Sequence, residues 1–191
     1  MSSTRRFPDG RRGAVRVAVA AAIAVASCVA GLNAAADEAS AVALKAAFLF
    51  NFAKFAEWPA LPSAAPIDIC IAGDDPLAAA LEGSVRGERI ARHAIRVTRP
   101  PDSAWPSCHV LFVGEADVRR FAGGLRGLRR LPILTVSDST GFSRADGIIE
   151  LYVEEGRMRF AVNVDALERS GLRLSSRLLG LANVVRSGSG Q

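Results

Sequence analysis

The chain has 191 residues, half of them hydrophobic, with 24 basic residues against 19 acidic ones and a sequence pI near 9.8. The first 36 residues carry five of those basic groups and one of the acidic ones, so the remainder keeps 19 against 18 and is close to neutral. That balance argues against a nucleic-acid partner for the part beyond residue 36, and the length suits one domain of about 100–200 residues.

The basic group at the amino end, Arg5, Arg6, Arg11, Arg12 and Arg16, is followed by an uncharged run from Val17 to Val29. A basic segment ahead of a short apolar one is the pattern of an export signal, and about a dozen apolar residues fall short of the roughly 20 that a membrane-spanning helix needs. Ala34-Ala35-Ala36 offers small residues to a signal peptidase ahead of Asp37-Glu38. Residues 1–36 are therefore expected to be a signal peptide, 37–186 the periplasmic domain and 187–191 a mobile tail. Thr4-Arg5-Arg6-Phe7 holds a twin-arginine pair, but the residues after it fit poorly and general secretion is expected. A rival cleavage box, Val25-Ala26-Ser27-Cys28, would leave a lipid on Cys28 and tether the domain to a membrane.

The first expected element beyond the signal is a helix from Leu44 to Pro59, with Leu44, Phe48, Phe52 and Phe55 forming one apolar stripe and Lys45 and Lys54 off it. Pro59 is expected to stop it. IDICIAG, Ile67 to Gly73, has the continuous apolar character of a buried strand. Asp75-Pro76 then has the form of a helix start, with Asp75 as the cap and Pro76 in the first helical position. Further strands are expected at Ala94 to Arg99, Cys108 to Gly114 and Leu131 to Asp138, with a helix from about Ala116 to Leu128 between the last two. Ser139 to Asp146 is polar and carries a glycine, hence a loop. Gly147 to Asn163 alternates apolar and polar residues about Glu154-Glu155-Gly156, the pattern of a β-hairpin. A short helix over Val164 to Ser170, ended by Gly171, and a last helix over Leu174 to Val185 complete the chain. Strands separated by helical segments imply a three-layer α/β/α sandwich with a mostly parallel mixed sheet and a C-terminal β-hairpin.

A search for catalytic groups finds little. The two histidines, His93 and His109, have no nucleophile suitably placed: Cys108 and His109 are adjacent on a strand and so point to opposite faces. One His-Cys neighbour pair and one distant cysteine do not make a zinc site. Gly123-Gly124 and Gly127 suggest either close helix packing or a phosphate cradle. No catalytic residue, metal or cofactor is expected. What stands out is the pair Cys70 and Cys108, which an oxidising compartment would join. A bridge closing a loop of about 39 residues would constrain the unfolded chain by on the order of 4 kcal/mol. It serves either as a structural staple or as a redox sensor.

Taken together, these segments resemble the YfiR-like periplasmic proteins, a family named for the repressor of a membrane-bound diguanylate cyclase. The resemblance runs through the aromatic helix ending at Trp58-Pro59, CIAGDDP at Cys70 to Pro76, CHVLFVG at Cys108 to Gly114 and LTVSD at Leu134 to Asp138 with Gly141-Phe142. It continues through GIIEL at Gly147 to Leu151, RFAVN at Arg159 to Asn163 and GLRLSSRLLGLA at Gly171 to Ala182. It implies a periplasmic protein that is not an enzyme, binds the periplasmic sensor domain of an inner-membrane diguanylate cyclase and represses cyclic di-GMP synthesis, so that release favours biofilm. It also implies a homodimer. Membrane contact would come only through the partner unless Cys28 is lipidated. Cys70 and Cys108 match a disulfide of the namesake, whose second cysteine pair has no counterpart here.

Phe142, Glu150, Phe160 and Asn163 are motif residues that a plain alternating hairpin does not require together, and they are the expected partner interface. The plainer readings are a core aromatic for Phe160 and a local loop acceptor for Glu150. The alternative function is a periplasmic small-molecule-binding protein with its pocket among the loops at the carboxyl ends of the strands.

Overall fold

The computed structural model describes residues 37–58, 61–73 and 76–187. The expected signal peptide with Cys28, the cap at Asp75 and most of the expected tail lie outside these residues. Chain contacts divide the protein into two units, Met1–Ala41 and Val42–Gln191. Of the first, residues 37–41 are described and helical; in the second, helical residues 42–55 form α1. No helix among the described residues is long and apolar enough to cross a membrane.

Strand β1 (Ala56–Glu57) follows α1 directly, so the helix ends before Trp58 rather than at Pro59. The buried line of α1 is Ala46, Leu49, Phe52 and Ala53. Phe48 and Phe55 flank it half-buried, and Leu44, expected on the stripe, is exposed. The expected stripe is thus rotated, so that Ala46 and Ala53 join Leu49 and Phe52 on the buried line.

Strand β2 (Ile67–Ala72) buries every residue except half-exposed Asp68, as a strand covered on both faces requires. Helix α2 (Leu77–Ser84) seats Leu77, Ala78 and Leu81, and Pro76 is its N-cap residue rather than its first helical one. Strands β3 (Arg89–Ile90) and β4 (His93–Thr98) make a small antiparallel pair. A 3-10 helix (Asp102–Ser107), β5 (Val110–Val113), α3 (Glu115–Gly127) and β6 (Leu134–Ser137) come next. The hairpin is β7 (Ile149–Glu154) and β8 (Arg157–Asn163), turning at Glu155 and Gly156 with φ of 50° and 72°. Helix α4 (Val164–Ser170) ends at Gly171, whose φ of 74° suits the left-handed cap expected there.

The expected last helix is the clearest departure. In its place stand β9 (Arg173–Leu174), one helical turn α5 (Ser176–Leu179) and an edge strand β10 (Asn183–Val185). Ser175 accepts from the Leu178 amide and restarts the helix, so Leu174 is outside it and pairs instead with Ala56 of β1. Beyond Gly180 the β-branched pair Val184-Val185 completes its backbone bonding alongside β8. Leu181, inside the expected helix, is 75% exposed.

The eight-stranded sheet has the order β10-β8-β7-β6-β5-β2-β4-β3. The strands from β4 across to β7 run parallel, and antiparallel neighbours occur at β7/β8 and β3/β4. On one face Ile67, Ile69, Ile71, Phe112, Val136 and Phe160 pack with α1 and α2. On the other, Cys70, Ala72, Leu111 and Val113 pack with Trp105 of the 3-10 helix and Phe121 of α3. This is the expected three-layer α/β/α arrangement.

Candidate functional site

Cys70 and Cys108 form a disulfide, with Cα atoms 5.9 Å apart and a sequence separation of 38. The pairing follows from the sheet: Ile69 of β2 is opposite Val110 of β5, which brings the strand residue Cys70 beside the residue capping the 3-10 helix. Both cysteines are buried, and Thr98 of β4 donates its hydroxyl to the Cys70 sulfur.

The connection from β6 to the parallel strand β7 carries a loop, residues 138–148, where a crossover usually carries a helix. Its backbone amides therefore need partners from elsewhere. Glu150 supplies them. Its carboxylate accepts from the Gly141 amide at 2.9 Å, the Ser143 amide at 3.0 Å and the Ser143 hydroxyl at 2.6 Å. Asn163 closes the same loop from β8: its Nδ2 donates to the Ser143 carbonyl at 2.6 Å and its Oδ1 accepts from the Ala166 amide, capping α4. Phe142 turns inward and packs on Gly147, where a Cβ would stand 2.2 Å from the ring. Thr140, Arg144 and Ala145 are left exposed at the loop's surface.

The fourth residue expected at this site is elsewhere. Glu150 is opposite Ala161 and Leu151 opposite Phe160, so alternation puts Phe160 on the other face of the sheet from Glu150. There its ring meets Phe52 at 5.1 Å and Phe48 at 5.9 Å. Phe142, Glu150 and Asn163 are brought together; Phe160 is buried beneath α1. Phe142, Phe160 and Asn163 are all buried.

At the carboxyl ends of the strands, where the small-molecule alternative puts its pocket, two carboxylates are engaged by the chain itself. Asp138, at the end of β6, accepts from the Glu115 amide at 2.8 Å and pairs with Lys45 of α1. The helix terminus that would attract an anion is thus met by an internal carboxylate. Asp117 lies over Gly73, at the point between β2 and β5 where the connections diverge to opposite sides, and a Cβ on Gly73 would stand 2.1 Å from its oxygen. The glycines Gly123, Gly124 and Gly127 lie in the second half of α3 and not in a loop that could surround a phosphate; Gly124 backs onto the Trp105 ring, whereas a Cβ on Gly123 or Gly127 would meet nothing within 4 Å. Among the described residues no group of three His, Cys, Asp or Glu side chains is placed to hold a metal ion.

A family model described as YfiR/HmsC-like matches residues 42–183. This chain belongs to the YfiR/HmsC-like family. The family is one of periplasmic regulatory proteins. A crystal structure of a conserved domain protein from Vibrio cholerae O1 biovar eltor str. N16961 is also similar to this YfiR/HmsC-like chain, at 12% identity and a TM-score of 0.46. The alignment covers 61% of this chain and 54% of that one, so the chain spans about half the length of that protein.

Two polar contacts of this YfiR/HmsC-like chain are not legible in the sequence. Lys45 was identified only as lying off the apolar stripe, and its pairing with Asp138 depends on how α1 is laid across the sheet. His109 sits half-buried at the start of β5, where its Nδ1 accepts from the Asp68 amide at 3.0 Å and its ring meets Trp58 edge-on. Burial lowers its pKa from the usual histidine value; the Asp68 carboxylate pulls the other way, and Arg96 and His93 add to the lowering.

Proposed function

We propose that this protein is a periplasmic regulator whose loop at residues 139–146 contacts the periplasmic sensor domain of an inner-membrane diguanylate cyclase and represses cyclic di-GMP synthesis. The observation that carries this reading is the anchoring of an exposed loop by one carboxylate through three hydrogen bonds. Hydrogen bonds to a charged acceptor contribute about 1.5–3 kcal/mol each, so the loop is held in one shape before any partner arrives, which lowers the cost of association. Phe142, Glu150 and Asn163 then act by presenting Thr140, Arg144 and Ala145 rather than by touching the partner, and Phe160 acts by fixing β8 against α1. Export through residues 1–36, with lipidation at Cys28 as the rival route, belongs to the same reading; the intact mass of the mature protein separates the two.

Cells lacking this protein are expected to hold raised cyclic di-GMP. Wild type should restore the level, whereas Arg144→Glu, which alters only the exposed loop, and Glu150→Lys, which removes its anchor, should not, although Arg144→Glu keeps the wild-type melting temperature. Full restoration by both variants would remove the loop from the interface, and an unchanged level on deletion would remove the cyclase reading altogether.

A further inference from the structure

The helix-free crossover from β6 to β7 leaves a cavity of about 250 Å³ between α3, the loop and α4. Its interior is apolar, walled by Ala122 and Leu125 of α3, Phe142 of the loop and Ile148 just before β7. The Thr135 hydroxyl in its floor accepts from the Ile148 amide at 3.1 Å. Its polar side is arginine-rich. Asp146 is shared between Arg129 at 3.0 Å and Arg169 at 2.8 Å and also accepts from the Ser187 hydroxyl, so its charge is fully used. Arg126, which lines the cavity and is exposed, has no carboxylate partner among the described residues.

We infer that this cavity is a binding site for a small amphipathic monocarboxylate, its ring or short aliphatic body among Ala122, Leu125, Phe142 and Ile148 and its carboxylate on the Arg126 guanidinium. The volume decides the body: an apolar cavity of about 150 Å³ holds benzene, so this one takes a ring with a short chain. Planar guanidinium pairs with carboxylate through two parallel hydrogen bonds, and one arginine without a carboxylate partner among the described residues calls for one negative charge. Because Phe142 and Asp146 belong to the loop assigned above to the cyclase, occupancy would be felt there. That link rests on the partner reading; binding itself is measured on the purified protein and does not.

Calorimetric titration of the purified chain with 3-phenylpropionate is expected to give saturable one-site binding, with the neutral 3-phenylpropionamide about tenfold to a hundredfold weaker. Arg126→Ala should bring the acid down to the level of the amide while leaving the melting temperature unchanged. Ala122→Phe, which fills the cavity, should abolish binding of both. Equal binding of acid and amide, binding that survives Ala122→Phe in a folded protein, or no saturation of either probe by about 10 mM would each overturn the assignment.

Discussion

On one face of the sheet, α1 and α2 press Leu49, Phe52, Leu77 and Leu81 onto strand residues that are fully buried. On the other, the covering is a 3-10 helix, a loop and α3, whose one buried residue is Phe121, and it is tied down by a disulfide and the carboxylate of Glu150. That second face holds a largely apolar cavity of about 250 Å³ and the Trp105 Nε1, buried with no hydrogen-bond partner among the described residues. Apolar packing alone stabilises a face uniformly, but a few covalent and polar ties can hold a surface that is locally loose. Both the exposed loop and the cavity proposed as functional are on the face built that way.

The contrast can be broken most directly at Phe52. Its ring is fully buried against Phe48 at 5.7 Å and Phe160 at 5.1 Å, so Phe52→Ala is expected to cost about 3–5 kcal/mol. Phe121→Ala on the opposite face should cost less, because α3 has no other buried residue to be left unsupported. Equal losses in chemical denaturation would show that the second face is packed as firmly as the first.

The disulfide comes next. Replacing both Cys70 and Cys108 by Ala removes a link across 38 residues and is expected to lower stability by about 2–4 kcal/mol. The loss should appear first in amide exchange at the 3-10 helix and the start of β5, with α1 still protected. A uniform loss of protection would mean that the bridge staples the whole domain rather than one face of it. Because both cysteines are buried, mild reductant should act on the native protein only as fast as that region opens.

Much of the first face could be seen in the sequence, because its signals are local: IDICIA and VLFV are continuous apolar runs, and α1 is rich in aromatic and aliphatic residues at helical spacing. The rotation of the stripe is hidden because two of its buried positions, Ala46 and Ala53, are alanines that an aromatic pattern does not pick out. Of the loop site, the turn at Glu155-Gly156 already carries the register that pairs Glu150 with Ala161, and so separates Phe160 from Glu150. Grouping the four residues by motif overrode that alternation. Glu150 is legible as a local loop acceptor, but which loop groups it takes depends on the fold of residues 141–143 above it. The break of the last helix into α5 and β10 was equally hidden, because only the free edge of β8 gives Val184 and Val185 a strand to join.

The smallest expected effect lies where the two faces share a strand end. His109 Nδ1 can accept from the Asp68 amide only while it is unprotonated, and its side chain is 23% exposed and 4.0 Å from the Asp68 carboxylate. Burial sets its folded pKa below the unfolded value of about 6.5. Between those two values the unfolded chain binds more protons than the folded one, so stability rises with pH across that window. The contribution is whole above about pH 6.5 and is lost as pH falls through the folded value. Each unit of lowering corresponds to about 1.4 kcal/mol, and the Asp68 carboxylate opposes the lowering. Denaturation between pH 7.5 and 5.5 should therefore show a shallow decline in wild type that His109→Asn removes, since asparagine can still accept from the Asp68 amide without titrating. An identical decline in that variant would assign the slope to other groups and leave His109 a purely geometric part of the β2 to β5 junction.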